Sequence, residues 1–251
     1  MKIAAQGFTI RRELEADPAV ALARLRAGGF EYIELAGLSG LDAAQMAGAL
    51  RSAAVTPIAM HVSLERLRLE PEAVLSDASL LDLHHLVVPS LGDEQRDFRL
   101  DDYRRAGAEL DVLASDLRRR GIGLHFHNHA SELLPLEGIR PLEVLLDETG
   151  AQLGLELDVG WVRVAGQDPL AWVHRLAGRL TLVHLKDVAF DYGSHTFRPL
   201  GAGVIDWARV LIACRAAGVE WGIVEDDDAI EGPYHSLELS RAHLETQPAL
   251  S

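Results

Sequence analysis

Four short apolar runs in the second half of the chain each end in a residue able to hold a divalent cation: Gly-Leu-His-Phe-His127, Leu-Glu-Leu-Asp158, Leu-Thr-Leu-Val-His184 and Gly-Ile-Val-Glu225. Imidazole and carboxylate donors suit manganese, zinc and cobalt, so a metal site is the first expectation. Such runs read as buried parallel strands. A barrel of parallel strands points every carboxyl end at one face, where residues far apart in sequence meet. The intervals between the four are 31, 26 and 41 residues, which suits one residue on each of four consecutive βαβ units of about 30 residues. An open doubly wound sheet would satisfy the same count.

The elements needed to carry these residues alternate along the whole chain. Strands are predicted at 3–6, 32–35, 58–61 and 85–88, and the four runs above bring the number to eight. Asp17-Pro18 and Asp168-Pro169 each supply a helix cap followed by proline at the first helical position, where its missing N–H costs nothing. Tyr103, Ala106, Leu110, Leu113 and Leu117 follow helical spacing and stop before Gly121. The expected fold is α/β in a single domain over residues 1–251; eight such units suit a (β/α)8 barrel, with the open doubly wound sheet still compatible. The stretch from Asp187 through Phe190, Tyr192, His195 and Arg198 to Gly203 is expected to be a long loop at the carboxyl face, a place for substrate contacts or a lid. Residues Glu245 to Ser251 are expected to be a frayed tail.

Composition bounds the function. With 48 % hydrophobic residues among 251, the chain can bury a full core. A formal charge of -14 argues against a nucleic-acid partner, whose binding depends on lysine and arginine displacing counterions. The single cysteine, Cys214, excludes an internal disulfide and a thiolate zinc site, agrees with a cytoplasmic protein, and reads as a buried helical thiol. No secretory h-region or membrane-spanning run is present in the sequence. Gly201-Ala202-Gly203 is too short for a dinucleotide fingerprint and reads as a turn before an Asp206-capped helix. There is no phosphate-binding loop, so neither NAD nor ATP is indicated.

The order of several motifs carries a resemblance. Leu35-Ala36-Gly37, Met60-His61-Val62-Ser63, His127-Asn128-His129 with Glu132, Asp158-Val159-Gly160-Trp161, Ala165-Gly166-Gln167-Asp168-Pro169, His184-Leu185-Lys186-Asp187 and Gly201-Ala202-Gly203-Val204-Ile205-Asp206-Trp207 lead to Val224-Glu225-Asp226-Asp227. Together with Gln6-Gly7-Phe8-Thr9-Ile10-Arg11 they resemble the sugar phosphate isomerase/epimerase family of xylose isomerase-like TIM barrels. The resemblance implies a divalent metal, usually manganese, with zinc, cobalt or magnesium as alternatives. Its ligands would be Asp158, His184 and Glu225, with His127 at the position where relatives carry glutamate. Glu132, five residues on, is the other candidate for that place. It also implies two bases flanking the carbon beside a carbonyl: Glu225, and either Glu132 or a histidine.

Further residues fill out the expected site. Lys186 steadies an oxyanion or carboxylate, or else pairs with Asp187 in solvent. His61, His129 and Arg198 are expected to contact substrate. Trp161 and Phe8 stack on a sugar ring or pack in the core. Asp158 has the plainer alternative of capping the following helix. The expected activity is isomerisation or epimerisation of a small sugar or sugar derivative through an enediolate. A dehydratase of the inosose type on a keto-sugar or keto-cyclitol is the alternative, and a binding protein is a third reading. A homo-oligomer is compatible with the sequence.

Overall fold

The computed structural model describes residues 1–92 and 98–250. Eight parallel strands close into a barrel: β1 (Lys2–Gln6), β2 (Tyr32–Leu35), β3 (Thr56–His61), β4 (His85–Val88), β5 (Gly123–His127), β6 (Leu153–Asp158), β7 (Leu180–Leu185) and, after the hairpin strands β8 (Asp187–Asp191) and β9 (Ser194–Arg198), β10 (Trp221–Val224). Each strand pairs with its neighbours in chain order, and β10 closes on β1 through Lys2 opposite Trp221 to Ala5 opposite Val224. This is the expected (β/α)8 architecture in one domain.

Alternation along the strands divides two cores. In β6, Leu155 and Leu157 join the large outer core between strands and helices, whereas Glu156 and Asp158 take the alternate positions. Ala4, Ile58, Val87, Leu182 and Ile223 form a separate apolar cluster that fills the barrel below the polar carboxyl end. Outside, the helix Leu100–Arg119 buries Tyr103, Ala106, Leu110, Ala114 and Leu117, and the predicted stripe is its core face. Asp17 and Asp168 cap their helices by accepting from Val20 N and Leu170 N. Asp206 caps the helix Trp207–Ala216, in which Cys214 is buried.

Two expectations are corrected. The stretch after β7 is no structureless loop, because β8 and β9 pair as an antiparallel hairpin from Asp187 opposite Arg198 to Asp191 opposite Ser194. Tyr192 and Gly193 at its tip both take positive φ, 44° and 85°, the backbone that a tight two-residue turn requires. Nor does the tail fray. After the helix Pro233–Glu245 the chain makes a turn at Pro248–Leu250, where the Ala249 carbonyl accepts from Arg215 Nη1 at 2.9 Å. Ser251 lies outside the described residues. No helix among the described residues is long and apolar enough to cross a membrane.

Candidate metal centre

Strand register brings the candidate donors together. Asp158 stands opposite His184 in the β6–β7 ladder, and His184 stands opposite Ile223, two residues before Glu225. Donor atoms of Asp158, His184 and Glu225 lie within 4.8 Å of one another. His184 Nδ1 is 2.7 Å from Glu225 Oε2 and 3.7 Å from Asp158 Oδ2. All three are buried. Asp158 satisfies both of its predicted readings at once: Oδ1 accepts from Trp161 N and caps the next helix, while Oδ2 receives no directed hydrogen bond. A buried carboxylate oxygen with no directed hydrogen bond, beside an imidazole and a second carboxylate, fits a divalent cation.

His127 falls with a second group. Its donor atom lies within 4.8 Å of those of His61, Glu156 and His184. In register His127 faces Glu156, and its Nδ1 is 3.1 Å from Glu156 Oε2. Asn128 stitches β5 to β6 beyond the ladder, with Oδ1 accepting from Asp158 N at 3.0 Å. Glu132 belongs to neither group. It is fully buried, and its Oε2 accepts from His129 N at 2.8 Å and Ser131 Oγ at 3.0 Å, which ties the turn after β5.

Lys186 does not pair with Asp187. Its ammonium lies 3.1 Å from Asp158 Oδ2, 2.8 Å from Glu225 Oε2 and 3.0 Å from Asp227 Oδ1, beneath the faces of Trp161 and Phe197. Gly160 makes room for it: a Cβ there would come within 2.8 Å of the Lys186 carbonyl oxygen and 2.9 Å of its Cβ and Cγ. Asp187 anchors the next loop instead, accepting from Gly201 N, Gly203 N, Ile205 N and Trp207 Nε1.

A cleft of about 360 Å³ opens above these groups, lined by Phe8, Ala36, His61, Ser63, Pro89, His127, His129, Lys186, Glu225 and Asp227. His61, His129 and Phe8 therefore meet where substrate contacts were expected. Trp161 packs beside them against His129, His195 and Phe197. Arg198 sits at the base of the hairpin and does not line the cleft. A larger cavity of about 600 Å³ lies around Ile3, Phe30, Tyr32 and Leu244, at the opposite end from the candidate donors. Active sites of this fold form at the carboxyl face.

Sequence reasoning passed over Glu34, Glu156 and Asp227. Glu34 and Glu156 are both fully buried. Asp158, Glu225 and Asp227 surround Lys186, while Glu34 and Glu156 face His184, so five carboxylates share one lysine and protons on histidines or a divalent cation must complete the balance. Burial opposes charge on every one of them. Against that opposition, Lys186 and His184 hold Glu225 well below the ordinary carboxylate range, Lys186 lowers Asp158, and His184 with His127 lowers Glu156. Burial and the Glu156 charge raise Glu34. Burial also opposes the charge on His61, but Glu34 and Glu156 outweigh it and push its pKa up to about 10. Glu156 and Glu225 likewise raise His184 against its burial. Burial and the neighbouring His184 push His127 down to about 3, so its ring is neutral. Asp227, lifted by burial and by Glu225, reaches about 7.

Comparison with known proteins gives a consistent picture. The family model described as xylose isomerase-like TIM barrel matches residues 22–244. The rhizopine catabolism protein MocC of Rhizobium meliloti is 33 % identical over 93 residues, 37 % of this chain and 28 % of that protein. The inosose dehydratase of Geobacillus thermodenitrificans is 27 % identical over 175 residues, 62 % of this chain and 56 % of that protein, so the matches span about a quarter of the first relative's length and little more than half of the second's. A sugar phosphate isomerase/epimerase from Parabacteroides distasonis superposes with a TM-score of 0.81 over 100 % of this chain and 96 % of the other, at 20 % identity, and shows the fold.

Proposed function

We propose that this chain, which belongs to the xylose isomerase-like TIM barrel family, is a divalent-metal-dependent enzyme that moves a proton at the carbon beside the carbonyl of a small keto-sugar or sugar derivative. The observation that carries this is the buried convergence of Asp158, His184 and Glu225 beneath an open cleft. Those three would hold the ion, with the neutral His127 ring next to them as the strand-five donor. Bound there, a divalent ion would polarise the substrate carbonyl and lower the cost of the enediolate. Manganese suits this mixed imidazole and carboxylate set, as do zinc and cobalt.

The chain's own groups would handle the protons. Glu225 is ionised and faces the cleft, and is our candidate for the base on one side. For the second base we favour Asp227 over Glu132. Asp227 lines the cleft with a pKa near neutrality, the best value for proton transfer at physiological pH, whereas the Glu132 carboxylate is committed to His129 and Ser131. Lys186, held between Glu225 and Asp227, would steady negative charge as it develops on the substrate oxygen. His61 and His129 would read hydroxyls from the cleft wall.

The fate of the deprotonated substrate separates two readings. Return of the proton to the same or the adjacent carbon gives an epimer or an isomer. Loss of hydroxide from the next carbon, with a proton supplied by Asp227, releases water and makes the enzyme a dehydratase. Similarity to a protein named inosose dehydratase favours this second reading. Incubation with ketoses, their phosphates and inososes, followed by mass spectrometry, distinguishes the outcomes, since isomers keep their mass and a dehydrated product is lighter by one water. Glu225→Gln should keep the fold and lose most turnover. Turnover equal to wild type in that variant would overturn the assignment.

A further inference from the structure

A tier of polar side chains lies under the candidate ion site, and the proposed proton chemistry leaves it without a task. Glu34 on β2 and Glu156 on β6 are both fully closed to water, in a barrel whose next layer down is apolar but for His125. Glu34 Oε2 lies 2.7 Å from His184 Nε2 and accepts from the Gln6 side-chain amide at 2.6 Å. Glu156 Oε2 lies 3.1 Å from His127 Nδ1 and 3.1 Å from His61 Nε2. An ionised carboxylate only accepts, so an imidazole nitrogen facing one must carry its proton. The opposite nitrogen of His184, Nδ1, already points at Glu225, and Nε2 is the nitrogen of His127 that Glu156 leaves free. Buried carboxylates are costly to keep in a barrel interior, and apolar residues would fill the same positions without that cost.

We infer that Glu34 and Glu156 are positioning residues that lock the ring orientation and protonation of His184 and His127, so that the correct nitrogen of each is presented to the ion. Ligating histidines generally donate their second N–H to a carboxylate or carbonyl, which raises ligand basicity and fixes the ring. Here that support comes from inward-facing positions of two strands, and Gln6 orients Glu34 in turn. The part of this inference that concerns affinity rests on the ion site proposed above. The part that concerns the histidine rings does not.

Two measurements test it. Long-range proton–nitrogen correlation spectra of metal-free, nitrogen-15-labelled protein should show His127 as a neutral ring protonated at Nδ1, with that preference lost in Glu156→Leu. Calorimetric titration with manganese should show binding weakened about 10- to 100-fold in Glu34→Leu. Glu34→Gln keeps an acceptor oxygen without the charge and should recover part of the loss. If a leucine variant fails to fold, the matching glutamine variant carries the test through a weaker manganese affinity. His127 protonated at Nε2 in wild type would overturn the inference, and so would manganese binding that is unchanged in the Glu34 variants. Uptake of two ions by wild type, one of them lost in Glu156→Leu, would overturn it as well, because the lower carboxylates would then be ligands. If wild type takes up no ion, the proposed function falls, and the His127 spectrum still decides the positioning role.

Discussion

Replacing Lys186 with methionine probes the forces that hold the acidic mouth of the barrel together. The ammonium touches Asp158, Glu225 and Asp227 at 2.8–3.1 Å and is almost wholly buried. It is the leading favourable influence, against burial, that keeps Asp158 and Glu225 ionised. Methionine fills a similar volume between Trp161 and Phe197, so the substitution removes charge with little change in packing. Removing one partner of a buried ion pair costs about 3–5 kcal/mol. At about 2–4 °C per kcal/mol for a chain of this size, the melting temperature in chelator should fall by about 6–20 °C. Added manganese restores positive charge to the same carboxylates. Its stabilisation, about 2.7 kcal/mol at a hundredfold excess over Kd in wild type, should therefore be larger in Lys186→Met. Differential scanning calorimetry with chelator and with manganese measures both quantities. Equal melting temperatures in chelator would refute the reasoning about charge. A smaller manganese effect in the variant would refute the idea that ammonium and ion compete for the same oxygens.

Three more predictions follow from the same geometry. Asp187→Asn turns one accepting oxygen into a donor among five N–H groups and should cost about 2–4 kcal/mol in urea denaturation. Hydrogen exchange should rise across 200–207 while manganese uptake is unaltered, and wild-type stability would contradict the anchoring role. Gly160→Ala places a methyl against the Lys186 backbone and stem, so it should destabilise by about 1–3 kcal/mol and weaken manganese binding, with a neutral outcome counting against the tight fit. Because Glu156 and Glu225 raise His184 above its ordinary range against burial, its Nδ1 is protonated at neutral pH. The ion needs that nitrogen bare, so binding should expel a proton and strengthen as pH rises. Calorimetry at pH 7 in buffers of different ionisation enthalpy reads the proton, and zero release would contradict the picture.

Much of the barrel was legible because parallel strands buried on both faces leave continuous apolar runs, as in Leu-Thr-Leu-Val-His184. The convergence of Asp158, His184 and Glu225 could be anticipated because each ends or follows its strand at the carboxyl face. Glu34 and Glu156 escaped attention because the reading stopped at strand ends. Alternation would have found Glu156, which shares a face with Asp158 two residues on, and a glutamate inside Tyr-Ile-Glu-Leu has to be partnered if that strand is central. Lys186 and Asp187 are adjacent in sequence and opposite in charge, which suggests an ion pair. Neighbours on an extended chain point to opposite sides, and the structure sends one to the cleft and the other to the Gly201–Trp207 loop. The β8–β9 hairpin was hidden because its turn uses Tyr192-Gly193 in place of an Asn-Gly or Asp-Gly signal. Which donors gather around His127 depends on side-chain packing inside the closed barrel, and strand spacing carries no information about that.

The central claim is that Asp158, His184 and Glu225 form a divalent-metal centre. Elemental analysis of protein expressed in manganese-supplemented medium and passed through gel filtration tests it most directly. The account predicts about one ion per chain in wild type, sharply reduced in Asp158→Asn and His184→Ala variants that retain their fold. Metal at background in wild type, with a melting temperature unmoved by manganese, zinc or cobalt, would contradict it.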